Sequence, residues 1–215
     1  MRRALESFGV LRWCKGLLLG SMKFPTYSKD TARRIAFSTD RVRFASLALA
    51  LETIEREKIP GALAELGVWR GATSSFIHSQ LRRRPLYLFD TFTGFGGKDG
   101  ADERFRDTSV DVVRRKIGDC SNVIFRPGTF PETARGLESE PFAFVLLDVD
   151  KYEPTLAGLN FFYPRLSPGG YLFVHDYNSL DERGVSRAVG EFLQGRTEKV
   201  VEIPDVWGSV VFRKI

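Results

Sequence analysis

From residue 62 onward the chain alternates short apolar runs with longer amphipathic stretches, and that alternation leaves few folds open. Apolar runs fall at 62–67, 86–90, 122–126, 143–148, 171–175, 199–203 and 208–213. Helical spacing separates most of them, near 72–83, 104–117, 153–165 and 181–194, and a further amphipathic stretch at 39–56 ends at Ile59-Pro60-Gly61. Strands that each feed a helix return to the same edge of a sheet and run parallel, with helices covering both faces. The last two runs are parted only by residues 204–207, too few for a crossover helix, so they are expected to pair antiparallel. The predicted fold is α/β: a doubly wound, seven-stranded, mostly parallel sheet with a C-terminal antiparallel hairpin.

With 215 residues there is enough chain for one full core, assigned to 39–215 and preceded by an arm at 1–38. The net charge of +5 is concentrated in that arm, since residues 1–34 carry eight Lys or Arg against two acids. The arm is expected to be a solvated segment, a lid over substrate, or a weak contact with an anionic membrane surface. The excess of basic charge does not extend over the rest of the chain, which sums to −1, and no recognition motif accompanies the arm, which argues against a nucleic-acid partner. Arg12 and Lys15 interrupt the most apolar part of the N-terminus, so neither a membrane span nor a signal peptide is expected there. Cys14 and Cys120 are too few for a disulfide framework, and the expected location is the cytoplasm.

Two signals converge on a ligand at one sheet edge. In ALAELGVWRGATSSF a buried strand breaks at Gly67 and restarts as a helix after Gly71, with Glu65 just before the turn. Glycine lets the backbone turn sharply beside a ligand, and the amides of the following helix N-terminus favour negative charge. The next apolar run ends in Asp90, roughly 20 residues on, where an acid can accept both hydroxyls of a ribose. Together Glu65, Gly67 and Asp90 favour an adenosine-containing cofactor; a plain βα turn and an Asp90 helix cap are the simpler alternatives.

A second constellation carries chemistry. FAFVLLDVDKYEPT ends a strand in Asp148 and Asp150, two residues apart and therefore on one side, and YLFVHDYN ends the next in His175 and Asp176. Adjacent parallel strands would bring these four groups together at the edge where such folds bind ligands. Three carboxylates and an imidazole need a compensating charge, which a divalent cation would supply. Oxygen ligands suit magnesium, and histidine leaves room for manganese, iron or zinc. Lys151 could neutralise a carboxylate instead. The aromatic stretch Phe161, Phe162 and Tyr163 is expected in the core.

The segments AELGVWRGATSSF, LFDTFTGFG, LLDVDKYEPT and FFYPRLSPGGYLFVHDYN, followed by GVSRAVGEF, resemble the macrocin O-methyltransferase (TylF-type) family of class I, Rossmann-like methyltransferases. The resemblance covers about residues 40–213 and implies S-adenosylmethionine as methyl donor. It places the donor on Glu65, Gly67, Trp69, Arg70 and Gly71, and on Asp90, Thr91 and Phe92. It also implies magnesium on Asp148 and Asp176, with Asp150 as general base. Where the family has paired Asp-Asp before Tyr, this chain has His175-Asp176-Tyr177, so His175 stands as either a metal ligand or a rival base. The implied activity is O-methylation of a hydroxyl on a sugar or glycosylated natural product, metal-assisted, and the family's N-terminal region suggests a homo-oligomer. Two rivals are an NAD-dependent oxidoreductase, which lacks here its Gly-x-Gly-x-x-Gly turn and any Tyr-x-x-x-Lys pair, and a noncatalytic binding protein on the same fold.

Overall fold

A computed structural model describes residues 26–95, 104–118, 120–179 and 183–215. Two helices precede the sheet, α1 (Lys29–Ala36) and α2 (Arg41–Arg56). Each begins on a side chain that satisfies a first-turn amide: Ser28 Oγ accepts from Thr31 N–H, and an Asp40 oxygen from Arg43 N–H. Helix α1 falls inside the stretch assigned to the basic arm, yet Ile35 is fully buried and the Tyr27 hydroxyl donates to the Ala45 carbonyl at 2.7 Å. Residues 26–38 are thus packed on the domain; the rest of the expected arm lies outside the described residues.

The remaining elements follow the predicted alternation: β1 (Ala62–Leu66), α3 (Ala72–Gln80), β2 (Leu86–Asp90), α4 (Val110–Ile117), β3 (Val123–Pro127), β4 (Phe142–Leu147), α5 (Tyr152–Arg165), β5 (Leu166–Val174), α6 (Gly184–Leu193), β6 (Val201–Ile203) and β7 (Ser209–Arg213). The seven strands lie in the order β3-β2-β1-β4-β5-β7-β6. The first five are parallel, and β7 pairs antiparallel with both β5 and β6. The chain winds outward from β1 through β2 to β3, then restarts at β4 on the other side. The crevice above β1 and β4 is therefore the topological switch point, where doubly wound sheets bind ligands.

Strand β4 is buried throughout and serves two cores. Phe142, Val145 and Leu147 face α5 and α6: Phe142 meets Phe162 edge-on, and Tyr163 and Phe192 of the helices pack edge-on to each other and to Phe212 of β7. Ala143, Phe144 and Leu146 face α2 and α3 with Leu47, Leu51, Phe76 and Ile77. The strict period of two breaks between Phe142 and Phe144, where both strand pairings of β4 shift register. The same irregularity explains why β5 begins at Leu166 and not at the expected residue 171. Phe142 pairs with Leu166 but Phe144 with Tyr171, so Pro168 and Gly169, at φ +83°, bulge out of a strand whose start looks like a turn. Phe161–Tyr163 sit in or against the core, as expected. Among the described residues no helix is long and apolar enough to cross a membrane.

Candidate active site

The turn after β1 is set by packing as much as by any ligand. Gly67 has φ +91°, and a Cβ there would overlap the Asp148 carbonyl at the end of β4, so only glycine lets the two strand ends approach. Glu65 is 1% exposed and accepts a hydrogen bond from Ser74 Oγ of α3. Its side chain braces the turn from beneath, and burial, only partly offset by Ser74, pushes its carboxyl up to about 8.

Asp90 closes the turn from the side. One carboxylate oxygen accepts Val68 N–H at 2.7 Å and Trp69 N–H at 2.9 Å, and the other accepts Phe92 N–H at 2.8 Å. A carboxylate offers about four acceptor positions, so three are spent on backbone and room remains for one outside donor, not the two of a ribose diol. Thr91 Oγ1 donates to the Gly94 carbonyl, and Phe92 is buried against Phe125. Trp69 is 42% exposed, donates Nε1–H to Asp107 at 2.8 Å, and meets Phe105 edge-on, while Arg70 pairs with the same Asp107. Asp107, which no motif singles out, ties residues 104–109 to the glycine turn.

Helix N-termini divide by position. Ser28, Asp40 and Ser109 cap α1, α2 and α4 through their side chains, whereas α3, α5 and α6, which follow β1, β4 and β5, have no side-chain cap. Uncapped first-turn amides thus gather at the crevice. Strain gathers there too. Trp69, Phe92, Asp150 and Asp176, after β1, β2, β4 and β5, all hold left-handed φ between 47° and 61°. Non-glycine residues there cost about 1 kcal/mol or more apiece, and such strain concentrates at functional sites.

The four residues expected to meet do meet. His175 Nδ1 lies 3.0 Å from an oxygen of Asp148 and 3.0 Å from an oxygen of Asp176, and Asp150 shares a hydrogen bond with Asp176. A fifth member comes from α2: the Arg43 guanidinium pairs with the second oxygen of Asp148 and stands 3.3 Å from His175 Nε2. Two contacts of Nε2 make opposite demands, because Arg43 can only donate and the Val206 carbonyl, at 2.9 Å, can only accept. The shorter contact places a proton on Nε2, donated to Val206. Asp40 fixes the neighbouring hairpin by accepting Val206 N–H at 2.8 Å.

Charge follows geometry. Burial would raise the Asp148 carboxyl, but Arg43 and His175 outweigh it and hold Asp148 well below the usual range. Burial would lower His175, but Asp148 and Asp176 raise it to about 10, so the ring carries a proton on each nitrogen. Asp150 goes the other way: burial, then its hydrogen bond to Asp176 and the charges of Asp176 and Asp148, push it up to about 8. Arg43 is a compensating side chain that motif reading missed. Its signal was a charge on a buried stripe, since residues 43, 47, 50 and 54 share one helix face and the last three are buried.

The residues also fit a divalent ion. Asp148, His175 and Asp176 each offer a ligand atom, all mutually within 4.8 Å. His175 Nδ1 and the Asp176 oxygen beside it are buried, and neither has an aligned hydrogen-bond partner.

Comparison with known proteins agrees with this architecture. Residues 26–214 match the family described as Macrocin-O-methyltransferase (TylF). The 8-demethyl-8-(2,3-dimethoxy-alpha-L-rhamnosyl)-tetracenomycin-C 4'-O-methyltransferase of Streptomyces olivaceus is 32% identical over 157 residues, 63% of this chain and 60% of that protein. Mycinamicin III 3''-O-methyltransferase of Micromonospora griseorubida is 31% identical over 159 residues, 63% of this chain and 62% of that protein. The matched part of the chain thus spans about three-fifths of the length of these relatives. The solved structure of the O-methyltransferase NovP superposes with a TM-score of 0.69 at 25% identity, covering 97% of this chain and 99% of that one. With the switch-point crevice, the Glu65–Gly71 turn and the acids after β4 and β5 all inside the matched span, the chain belongs to the TylF-type macrocin O-methyltransferase family.

Proposed function

We propose that this protein is an S-adenosylmethionine-dependent O-methyltransferase acting on a sugar hydroxyl of a glycosylated natural product in the cytoplasm, with Asp150 as general base. The observation that carries the reading is Asp150 itself: a partly exposed carboxyl, in strained left-handed backbone at the crevice, raised to about 8. An alcohol is a weak nucleophile until its proton leaves, and a carboxylate with raised pKa is a stronger acceptor for it once the pH is high enough for it to have lost its own proton. His175 suits this task poorly, because its Nε2 is tied to Val206 and its Nδ1 faces two carboxylates. Its part is to hold Asp148 and Asp176 in register, and with them it would hold a divalent ion, which polarises an acceptor oxygen when present.

S-adenosylmethionine, when bound, supplies an electrophilic methyl group and its own leaving group. The uncapped amides of α3 suit the partial negative charge of such a ligand, and Gly67 and Gly71 keep that surface free of Cβ atoms. Trp69, Arg70, Thr91 and Phe92 surround this surface, and Asp90 offers its remaining acceptor position to one ribose hydroxyl. Alignment of the two substrates supplies most of the rate, several kcal/mol by effective molarity. The kinship of the relatives to glycoside-modifying enzymes, by their names, supports the acceptor class. The test is methyl transfer from labelled S-adenosylmethionine to a panel of deoxysugar-bearing aglycones, run beside calorimetry with S-adenosylhomocysteine and NAD. Binding of NAD without S-adenosylhomocysteine would replace this reading with that of an oxidoreductase.

A further inference from the structure

We propose that the tip of the β6–β7 hairpin, Val206 and Trp207, is the subsite that takes the apolar aglycone of the acceptor while the sugar reaches Asp150. This deepens the function proposed above and rests on it. Most large apolar side chains of the described residues are buried, and the exposed ones are not scattered. Val42 lies in the first turn of α2, Trp69 in the glycine turn, and Val206 and Trp207 in the hairpin, all in segments that border the crevice. Exposed apolar surface gathered in one place marks a surface that binds something.

The hairpin tip is held at the crevice by its backbone. Strand β7 runs antiparallel to β5, so the turn before β7 lies at the same end of the sheet as the residues that follow β5. Val206 N–H donates to Asp40 at 2.8 Å, and the Val206 carbonyl accepts from His175 Nε2 at 2.9 Å. The next two carbonyls are taken as well: Trp207 accepts Asn178 N–H at 2.9 Å and Gly208 accepts Tyr177 N–H at 2.9 Å. With the main chain pinned in this way, the Val206 and Trp207 side chains are nonetheless 52% and 54% exposed. Trp207 also holds a left-handed φ of +68°, although glycine, which tolerates such a turn, stands one position later. It belongs to neither apolar core, so packing within the described residues does not account for an indole in strained backbone.

A fixed indole at the rim has a use in recognition. It offers a broad apolar face and has little freedom left to lose when a ligand lies on it, which suits a flat or polycyclic group. Deeper in, the crevice is lined by Asp148, Asp150 and Asp176, which suit hydroxyls. Only Asp176 and His175 stand between Asp150 and the Val206 carbonyl along the chain of contacts. The wall thus has a polar end and an apolar end side by side, matching the two halves of a glycoside.

Steady-state kinetics of the full-length protein test this with 4-methylumbelliferyl α-L-rhamnoside and methyl α-L-rhamnoside, which share a sugar and differ in aglycone. The parent should show a KM about tenfold or more lower for the aryl glycoside. Trp207→Ala should cut that preference by about fivefold or more, and Trp207→Phe should keep most of it. S-adenosylhomocysteine affinity within a few fold of the parent shows that each variant is folded. Saturation-transfer NMR of the aryl glycoside on the protein loaded with S-adenosylhomocysteine should put the strongest contacts on the aromatic protons, and Trp207→Ala should remove them. Equal KM values in the parent, an unchanged preference in Trp207→Ala, or no contact to the aromatic protons would each overturn the proposal. So would a lower KM for thymidine diphosphate rhamnose than for the aryl glycoside, or a dimer in sedimentation that Trp207→Ala dissociates, since the patch would then serve a nucleotide or a second copy. Aromatic contacts that depend on Trp207, with no methyl transfer to any acceptor of the panel, would instead overturn the proposed function and leave the apolar subsite standing.

Discussion

Asp150 and Asp176 show how one residue type divides its labour through environment alone. Both follow a strand in left-handed backbone, but Asp176 lies against the His175 ring and is buried, while Asp150 is partly exposed and leans on Asp176. Because Asp150 is raised to about 8, it holds its proton below that pH and serves as base only above it. The methyl-transfer rate should therefore climb as pH rises to about 8 and then level off. Asp150→Asn should remove that limb and lower kcat by about 10²–10⁴-fold, with S-adenosylhomocysteine affinity in calorimetry within a few fold of the parent. A limb that survives in Asp150→Asn would assign the base elsewhere. The positions of Asp148, Asp150, His175 and Asp176 were legible because strand ends impose them: a period of two and parallel pairing suffice. Their charge state was not, because Arg43 lies 105 residues from Asp148 and reaches it only through tertiary packing. Likewise Asp90 was legible as an acid at a strand end, whereas its three amide partners depend on a loop conformation that no local pattern announces.

The elements themselves were legible wherever their period was uniform. Helices α2, α3 and α5 and strands β1 to β4 begin within a residue or two of the expected positions, and the antiparallel ending follows from having only five residues between β6 and β7. Legibility fails where backbone chemistry and pairing disagree. Ser-Pro-Gly-Gly carries turn residues, yet it lies inside β5 because Leu166 has already paired with Phe142 and the bulge absorbs the excess. Helix α1 is short and polar on most of its surface, so its apolar signal reduces largely to Ile35. Gly67 joins the two kinds of reading, being a recognisable turn residue whose necessity comes from β4. Gly67→Ala would impose a strained φ and drive a methyl into the Asp148 carbonyl, displacing the strand end that carries Asp148 and the proposed base Asp150. The expected cost is about 2–4 kcal/mol in urea unfolding, with loss of methyl transfer even at temperatures where the variant stays folded. Gly136 offers the control: its φ is also positive, +84°, but no atom lies within 4 Å of the Cβ position, so Gly136→Ala should cost only the backbone strain, about 1 kcal/mol.

At the scale of the whole molecule, the ligand edge sits above a sheet with a largely apolar core, and among the described residues Glu65, 1% exposed, is the most deeply buried acid. It stands on β1, the central strand of the switch point, fully enclosed between the glycine turn and α3, with Arg43, Asp148 and Asp90 near enough to bias its charge. Burial sets the direction. The carboxyl titrates near 8 in the folded chain against an ordinary value of 4.5, so between those limits the folded state binds more protons than the unfolded one. Stability from this group is therefore fully present below about pH 4.5 and is lost as pH rises through 8, opposite in sign to a salt-bridged acid such as Asp148. The loss should be on the order of 3 kcal/mol, because each unit of difference carries about 1.4 kcal/mol and relaxation of the site absorbs part of it. Glu65→Gln keeps the shape and an acceptor for Ser74 while removing the titration. Urea unfolding of parent and variant at pH 5, 6.5 and 8.5 should show the variant gaining on the parent steadily across that range. A constant difference would mean that Glu65 stays charged in the fold, and Arg43 would then have to be reassigned as its partner in place of Asp148.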